Sequence, residues 1–143
     1  MNSNKEYKYR AFITYAHKDE DKAQWLRKKL EDFKVPKHLV GENSPYGPIP
    51  ARLYPIFRDR DELAGAAQLG PLIEQALEDS SHLIILCSPH AVQSRWVNEE
   101  IRMFKAMGKQ NRVLCLILSG EPMAEDVKGD SENECLPLAA RRQ

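Results

Sequence analysis

The chain has 143 residues, of which 42% are hydrophobic and 29% charged, as expected for one globular domain with a real core. Lys plus Arg and Asp plus Glu balance at 21 each, so no net charge favours nucleic acid or an anionic membrane as a partner. No apolar run reaches the roughly 20 residues that span a bilayer, and no apolar signal segment follows Met1, which predicts a cytoplasmic protein.

The first half of the chain predicts two strands separated by a helix and a long connection. Residues 9–15 are aromatic and β-branched, which is typical of a strand, and Asp19 is a candidate N-cap for the next helix. That helix has apolar residues at helical spacing from Ala23 to Phe33. Prolines and glycines break residues 34–54, so this connection is either functional or an ordered surface excursion. Residues 53–57 predict a brief second strand, and its proline indicates an irregular or edge-like start.

The second half of the chain predicts two more strands, each preceded by a helix. Helical spacing runs from Leu69 to Leu77, and the apolar run at residues 82–87 is typical of a strand covered on both faces. One helix is expected from Pro89 to Met107, and residues 113–118 predict the fourth strand. The core-facing residues expected on that helix are Val97, Ile101 and Phe104. Residues 119–143 are acidic and poorly periodic.

Three cysteines lie far apart in the sequence, at Cys87, Cys115 and Cys135. Cys87 and Cys115 fall inside apolar strand patterns, which predicts small buried thiols. The odd count without a secretion signal predicts reduced cysteines rather than a disulfide framework. The four histidines are scattered without ligand spacing, so we expect no metal site.

The alternation of strands and helices predicts a flavodoxin-like parallel α/β sheet of four to five strands with helices on both faces. Ligands of such sheets bind beyond the carboxyl ends of the strands. Those ends are followed here by Tyr15-Ala16-His17, by Arg58-Asp59 and by Ser88-Pro89. In the next helix Trp96 and Glu100 stand four residues apart, which places an aromatic ring and a carboxylate on one face. We expect these segments to converge on one cleft.

Several chemistries of this architecture are excluded by missing motifs. No Gly-x-Gly-x-x-Gly follows the first strand, so a dinucleotide would not bind in the Rossmann manner as a hydride carrier. No Walker phosphate loop is present. A phospho-acceptor receiver domain needs an aspartate at the end of its third strand, where this chain has Cys87-Ser88.

Four segments in order resemble the sequence boxes of Toll/interleukin receptor (TIR) domains. Residues 11–15 resemble the first box, and residues 57–65 resemble the second box and the loop after it. Residues 85–89, followed by Trp96 and Glu100, resemble the third strand and catalytic helix of the NAD-cleaving members. The proline-rich insertion is most similar to the bacterial subgroup, in which a TIR-like domain is often joined to a separate sensor or repeat region.

The chain departs from the family pattern at three points. Thr14 replaces the common serine of the first box, and Ala16-His17 stand where an arginine often follows the box tyrosine. No candidate for the fifth strand and last helix of most relatives follows the fourth strand, apart from Leu136-Pro137-Leu138 as the stub of a strand. We therefore expect a TIR domain over residues 7–143 that is truncated after the fourth strand, with a disordered N-terminus at residues 1–6.

The resemblance implies an NAD+ glycohydrolase of bacterial immune or effector signalling. Such an enzyme cleaves the nicotinamide–ribose bond and releases nicotinamide and linear or cyclic ADP-ribose. NAD+ is then a substrate, and no cofactor is implied. The implied partners are other TIR domains, whose self-association would switch the activity on, and a fused or associated sensor region. Neither nucleic acid nor a membrane is expected as a partner.

The resemblance also implies residue roles. Glu100 would stabilise the positive charge that develops on ribose as cationic nicotinamide leaves. Trp96 would pack against nicotinamide or ribose, and Leu63 to Ala67 would form a mobile loop that gates the cleft. The implied substrate-binding residues are Tyr15, Ala16, His17, Phe57, Arg58, Asp59, Leu63, Gly65, Ser88 and Trp96.

Two other functions stay open at this point. One is a non-catalytic TIR module that only assembles with other TIR domains, and the other is a different N-glycoside enzyme such as a nucleoside deoxyribosyltransferase. A scaffold would tolerate Glu100→Gln, whereas substrate choice separates the two enzymes. The alternatives for single residues are that Glu100 is a solvated helix residue beside Glu99 and that Trp96 only packs.

Overall fold

The computed structural model describes residues 7–58 and 69–141, which form a parallel sheet with helices on both faces. Single turns of 3-10 helix at His17–Asp19 and Gln110–Arg112 join some of the main elements. In chain order the main elements are β1 (Tyr9–Thr14), α1 (Glu20–Asp32), β2 (Asn43–Ser44), β3 (Gly47–Pro48), β4 (Ile56–Arg58), α2 (Leu69–Glu78), β5 (Ser80–Cys87), α3 (Pro89–Gln93), α4 (Arg95–Ala106), β6 (Val113–Ile117), α5 (Ala124–Lys128) and α6 (Leu138–Arg141).

The main sheet has four parallel strands in the order β4-β1-β5-β6, which confirms the predicted flavodoxin-like fold. β4 lies at one edge, as its proline-containing start predicted. Ile13 of β1 lies opposite Arg58, and Thr14 lies opposite Ile85 of β5. The carboxyl ends of β4, β1 and β5 therefore meet at one edge of the sheet. Within these two described segments, no helix is long and apolar enough to cross a bilayer.

Alternation along the strands divides the core between the two faces of the sheet. Phe12 points toward α2 and α4, whereas Ala11 and Ile13 pack on the face of α1. The predicted stripe Val97, Ile101 and Phe104 is fully buried against the first of these faces. Burial of one such large apolar side chain contributes about 1.5–3 kcal/mol, so this stripe fixes which way α4 faces.

The prediction of one helix from Pro89 to Met107 is wrong, because the chain breaks at Ser94. Ser94 has an extended backbone (φ −80°, ψ 116°), and its hydroxyl accepts a hydrogen bond of 3.2 Å from the Val97 N–H. Ser94 is therefore the N-cap of a second helix. This cap satisfies the Val97 N–H, which a continuous helix would have paired with a backbone carbonyl. The break places Trp96 in the first turn of α4 and Glu100 in its second turn.

The proline-rich connection at residues 34–54 is an ordered surface excursion and contains the short hairpin of β2 and β3, which the sequence did not predict. The ring of Tyr46, in the hairpin turn, packs edge-on against His82 with centroids 4.7 Å apart. The guanidinium of Arg112 lies 4.5 Å from the same ring. His82 and Arg112 stand at the amino ends of β5 and β6. The excursion therefore packs at the edge of the sheet opposite to the strand ends that carry the predicted cleft.

The segment after β6 folds back onto α4, and the predicted strand stub at residues 136–138 is wrong because Leu138 begins α6. The Ala139 N–H donates to Asn98 Oδ1 at 3.0 Å, and the Ala139 carbonyl accepts from Lys105 Nζ at 2.7 Å. Both backbone groups of Ala139 are thus held by α4. Among the described residues, the main sheet has no fifth strand.

A buried carboxylate organises this C-terminal segment. Glu134 is fully buried, and its carboxylate accepts hydrogen bonds from the backbone N–H groups of Met123, Glu125 and Leu136 at 2.9–3.0 Å. Arg141 Nη1 lies 3.6 Å from the same carboxylate. Burial acts to raise the pKa of Glu134, but these hydrogen bonds and the charge of Arg141 outweigh it and hold the pKa below its usual value.

Cys115 is exposed, so the prediction that it is buried in its strand is wrong, whereas Cys87 and Cys135 are buried. All three thiols are free, as predicted. Cys115 lies on edge strand β6, whose neighbouring residues Leu114 and Leu116 are 54% and 38% exposed. A hydrogen bond from the Cys87 thiol lowers the pKa of Cys115 to about 7, assisted by the charge of Lys105 and opposed by partial burial.

We expect iodoacetamide to label Cys115 in the native protein while Cys87 and Cys135 stay unmodified. Cys115 is exposed and forms its thiolate near neutral pH, whereas the other two thiols have no exposed surface. The labelling rate, measured by peptide mass spectrometry, should reach half of its plateau near pH 7. Denatured protein is the control in which all three react. Equal labelling of Cys87 or Cys135 in the native state would contradict this packing.

The depressed pKa of Glu134 makes the free energy of unfolding sensitive to acid. A group whose pKa is lower in the folded state stabilises above its unfolded pKa, near 4.5, and loses this contribution as the pH falls through the folded value. We expect the free energy of unfolding in urea to fall below pH 4.5, and to fall less steeply in Glu134→Gln. Identical pH slopes for the two proteins would refute this role of Glu134.

Candidate active site

The candidate site lies where the carboxyl ends of three strands meet the first half of α4. Thr14, Arg58 and Ser88 mark these ends and are 0%, 7% and 0% exposed. Buried polar side chains cost free energy unless they are hydrogen-bonded, so a cluster of them at one sheet edge indicates a built site rather than ordinary core.

The central contact of the site joins Thr14 to Glu100. The Thr14 hydroxyl donates to Glu100 Oε1 at 2.6 Å, across 86 residues of sequence. Thr14 faces the same side of the sheet as Phe12, which is the side covered by α4. Glu100 in turn lies three residues after Val97 and four before Phe104, on the apolar stripe of the helix. Packing of that stripe therefore carries the carboxylate to the end of β1.

Two neighbouring carboxylates on α4 have opposite surroundings. Glu100 is 1% exposed, which contradicts the alternative of a solvated helix residue. The Glu99 side chain is 47% exposed, and its carboxylate lies 3.5 Å from Arg102 Nη1 in a surface ion pair. A surface pair of this kind contributes at most about 1 kcal/mol, whereas a buried carboxylate needs specific partners. Glu99 therefore serves as a matched control for Glu100.

Ser88 and Asp19 form a second polar link at this edge of the sheet. The Ser88 hydroxyl caps α3 by accepting from the Ala91 N–H at 3.1 Å, and it donates to Asp19 Oδ2 at 2.6 Å. Asp19 stands at the predicted N-cap of α1 but makes no side-chain cap hydrogen bond there. The sequence predicted Asp19 only as a helix cap. Its position in the turn after β1 is the feature that could have indicated a role at this edge of the sheet. The link fixes the turns after β1 and β5 together.

Trp96 is 51% exposed on the first turn of α4. About half of the indole surface is therefore open to solvent, and its contact with substrate stays a prediction. An exposed indole next to a polar site offers a flat apolar surface on which a planar ligand ring can stack.

Of four predicted substrate-binding residues, three are buried and one is exposed. Tyr15 and Ala16 are 2% and 5% exposed in the core. Phe57 is also buried, with its ring stacked on Phe12 at 5.0 Å between centroids. His17 is exposed, and its Nδ1 lies 3.5 Å from the carboxylate of Glu20. Tyr15, Ala16 and Phe57 therefore lie in the core, and their contact with substrate stays a prediction.

Of the remaining predicted substrate-binding residues, one lies at the sheet edge and three lie outside the described residues. Arg58 ends β4 at the edge where Thr14 and Ser88 also lie, and is 7% exposed. Asp59, Leu63, Gly65 and the expected gating loop from Leu63 to Ala67 lie outside the described residues.

A groove of about 860 Å³ lies elsewhere on the molecule, between α4, β6 and α6. Its lining includes Lys105, Cys115 and Arg141, and none of the residues at the carboxyl edge of the sheet. The groove is therefore separate from the strand-end cluster. Within residues 7–58 and 69–141, no group of three or more His, Cys, Asp or Glu side chains is arranged to hold a metal ion.

Comparison with known proteins agrees with the resemblance drawn from the sequence boxes. The family model described as TIR domain matches residues 11–137. The chain is 30% identical over 128 residues to NAD(+) hydrolase ApTIR of an Actinoplanes species, which covers 89% of this chain and 16% of that protein. It is also 30% identical over 95 residues to Toll-like receptor 4 of Sus scrofa, covering 64% of this chain and 9% of the receptor. The chain thus spans less than a fifth of either relative.

Replacement of Ser88 tests the second polar link. Ser88→Ala removes a helix cap and the partner of Asp19, so we expect it to lower the free energy of unfolding by about 2–3 kcal/mol. Ser94→Ala removes only the cap of α4 and should lower it by about 1 kcal/mol. Urea unfolding at neutral pH measures both. Equal losses for the two variants would show that the link to Asp19 adds nothing.

Proposed function

The chain belongs to the TIR domain family, and from this we propose that it is an NAD+ hydrolase that cleaves the nicotinamide–ribose bond. The observation that carries the proposal is the buried carboxylate of Glu100, held at the carboxyl edge of the sheet by the Thr14 hydroxyl. A relative that covers most of this chain bears the name NAD(+) hydrolase, which supports the same chemistry.

The chemistry follows from the charge of NAD+. The bond between ribose C1′ and the nicotinamide nitrogen breaks with its electron pair passing to nicotinamide, which leaves as a neutral molecule without a general acid. Positive charge then develops on the ribose as an oxocarbenium ion. A fixed carboxylate beneath the ribose stabilises this charge most where water is excluded. We assign this role to Glu100, whose side chain is already withdrawn from solvent.

The second half of the reaction adds a nucleophile to C1′. Water adds its hydroxide to the oxocarbenium ion and loses a proton, which gives ADP-ribose. An internal nitrogen of the adenine attacking the same carbon instead gives a cyclic product. Both routes use the same carboxylate, so the proposal covers linear and cyclic ADP-ribose alike.

We propose that Trp96 binds the leaving group. Its indole is half exposed in the turn of α4 that precedes Glu100, and a nicotinamide ring that carries positive charge stacks favourably on an indole face. Arg58 at the end of β4 would supply positive charge for the pyrophosphate. It would replace the arginine that often follows the box tyrosine in the family and that this chain lacks after Tyr15.

The surroundings of the domain are part of the same proposal. NAD+ is consumed as a substrate and no cofactor is required. Contact with other TIR domains turns the activity on, and a sensor region fused to or associated with this domain brings them together. Three free thiols fit a reducing compartment, and we place the activity in the cytoplasm, as part of a bacterial immune or effector response.

Neutralising Glu100 tests the proposal. We expect Glu100→Gln to lower the rate of nicotinamide release from NAD+ by roughly 10²- to 10³-fold, because the stabilising charge is lost. Glu99→Gln changes the same charge one residue away and should keep the rate within about twofold, since that carboxylate pairs only on the surface. The rate is measured by chromatography at high protein concentration with a crowding agent.

Each result has a definite meaning once light scattering shows equal self-association of the variants. Release by the wild type that survives Glu100→Gln would place the catalytic carboxylate elsewhere. No release by the assembled wild type would favour the non-catalytic TIR module. Release of nucleobase from deoxynucleosides, with none of nicotinamide from NAD+, would favour a deoxyribosyltransferase.

A further inference from the structure

We propose that Thr14 is the positioning residue for the catalytic carboxylate, an inference that rests on the proposed role of Glu100. The Thr14 hydroxyl donates to Glu100 Oε1 at 2.6 Å, which is the length of a strong hydrogen bond to a charged oxygen. Both side chains are almost fully withdrawn from solvent, so water does not compete for this contact.

The donor of this contact is held more firmly than its acceptor. Thr14 is the last residue of β1 and is paired with Ile85 of the neighbouring central strand β5. The χ1 angle of a threonine is also restricted, which limits the directions that its hydroxyl can take. The Glu100 side chain by contrast has three rotatable bonds, and its helix restarts at Ser94 instead of continuing from α3. The sheet therefore sets where the carboxylate sits.

Accurate placement of this carboxylate matters for the rate more than for binding. The oxocarbenium charge exists only near the transition state, so a misplaced carboxylate loses stabilisation there while substrate binding is kept. Loss of the Thr14 hydroxyl should therefore lower kcat and leave KM nearly unchanged. Removal of a hydrogen bond to a charged group corresponds to a roughly 10- to 100-fold loss in rate.

The test compares Thr14→Val with Thr14→Ser in the nicotinamide-release assay, with kcat and KM measured separately. Thr14→Val keeps the shape and branching of the side chain but removes the hydroxyl, and we expect the roughly 10- to 100-fold loss in kcat. Thr14→Ser keeps the hydroxyl but removes the methyl group, and should retain most of kcat. A role in packing alone predicts the opposite order, with Thr14→Val near wild type and Thr14→Ser impaired.

The remaining outcomes separate this inference from the proposed function. Loss of activity in Glu100→Gln together with full activity in Thr14→Val overturns the inference and leaves the proposed function standing. Full activity in Glu100→Gln, or no nicotinamide release by the wild type, overturns both. Should Thr14→Val not fold, Thr14→Ala and Thr14→Ser replace the pair, because these two side chains differ only by the hydroxyl oxygen.

Discussion

The structure depends on how a charged side chain is accommodated on the apolar stripe of α4. Val97, Ile101 and Phe104 must face the sheet for the core to form, and Glu100 is carried inward with them. An isolated carboxylate in that position would cost several kcal/mol, and a hydrogen bond from the end of β1 offsets part of this cost. The same packing that builds the core therefore brings a carboxylate to the carboxyl edge of the sheet. A leucine at position 100 would pack there without the cost of burying a carboxylate. The presence of a glutamate at this position therefore points to function.

The features that the sequence predicted correctly are those set by long periodic patterns. The β-branched and apolar runs of β1 and β5 and the helical spacing in α1, α2 and α4 are extended signals, in which each residue favours the same element. The features that it missed depend on single side-chain contacts, one of them local and another between distant residues. Ser94 is a plausible helix residue by propensity, and only its cap on Val97 ends one helix and starts another. Asp19 is likewise drawn away from a local cap by Ser88, which is 69 residues distant.

The candidate site shows the same division. Spacing put Trp96 and Glu100 on one helix and Glu100 on the apolar stripe, but it could not show that the end of β1 brings the Thr14 hydroxyl to the Glu100 carboxylate. The rings of Tyr15 and Phe57, which the resemblance predicts to contact substrate, are both buried in the core, and the sequence pattern did not indicate this burial. Cys115 follows an apolar pattern as regular as that of Cys87, but it stands on an edge strand. Edge and centre of a sheet are properties of strand order, which periodicity does not encode.

The helix that carries Glu100 also holds the C-terminal segment. Asn98, two residues before Glu100, holds the backbone of Ala139, and Lys105 holds it from the next turns of α4.

The most direct test of the central claim is a crystal structure of Glu100→Gln with NAD+. We expect ribose C1′ within about 3–3.5 Å of the side chain of residue 100 and nicotinamide against the indole of Trp96. NAD+ bound instead in the groove lined by Lys105 and Cys115, away from residue 100, would contradict it.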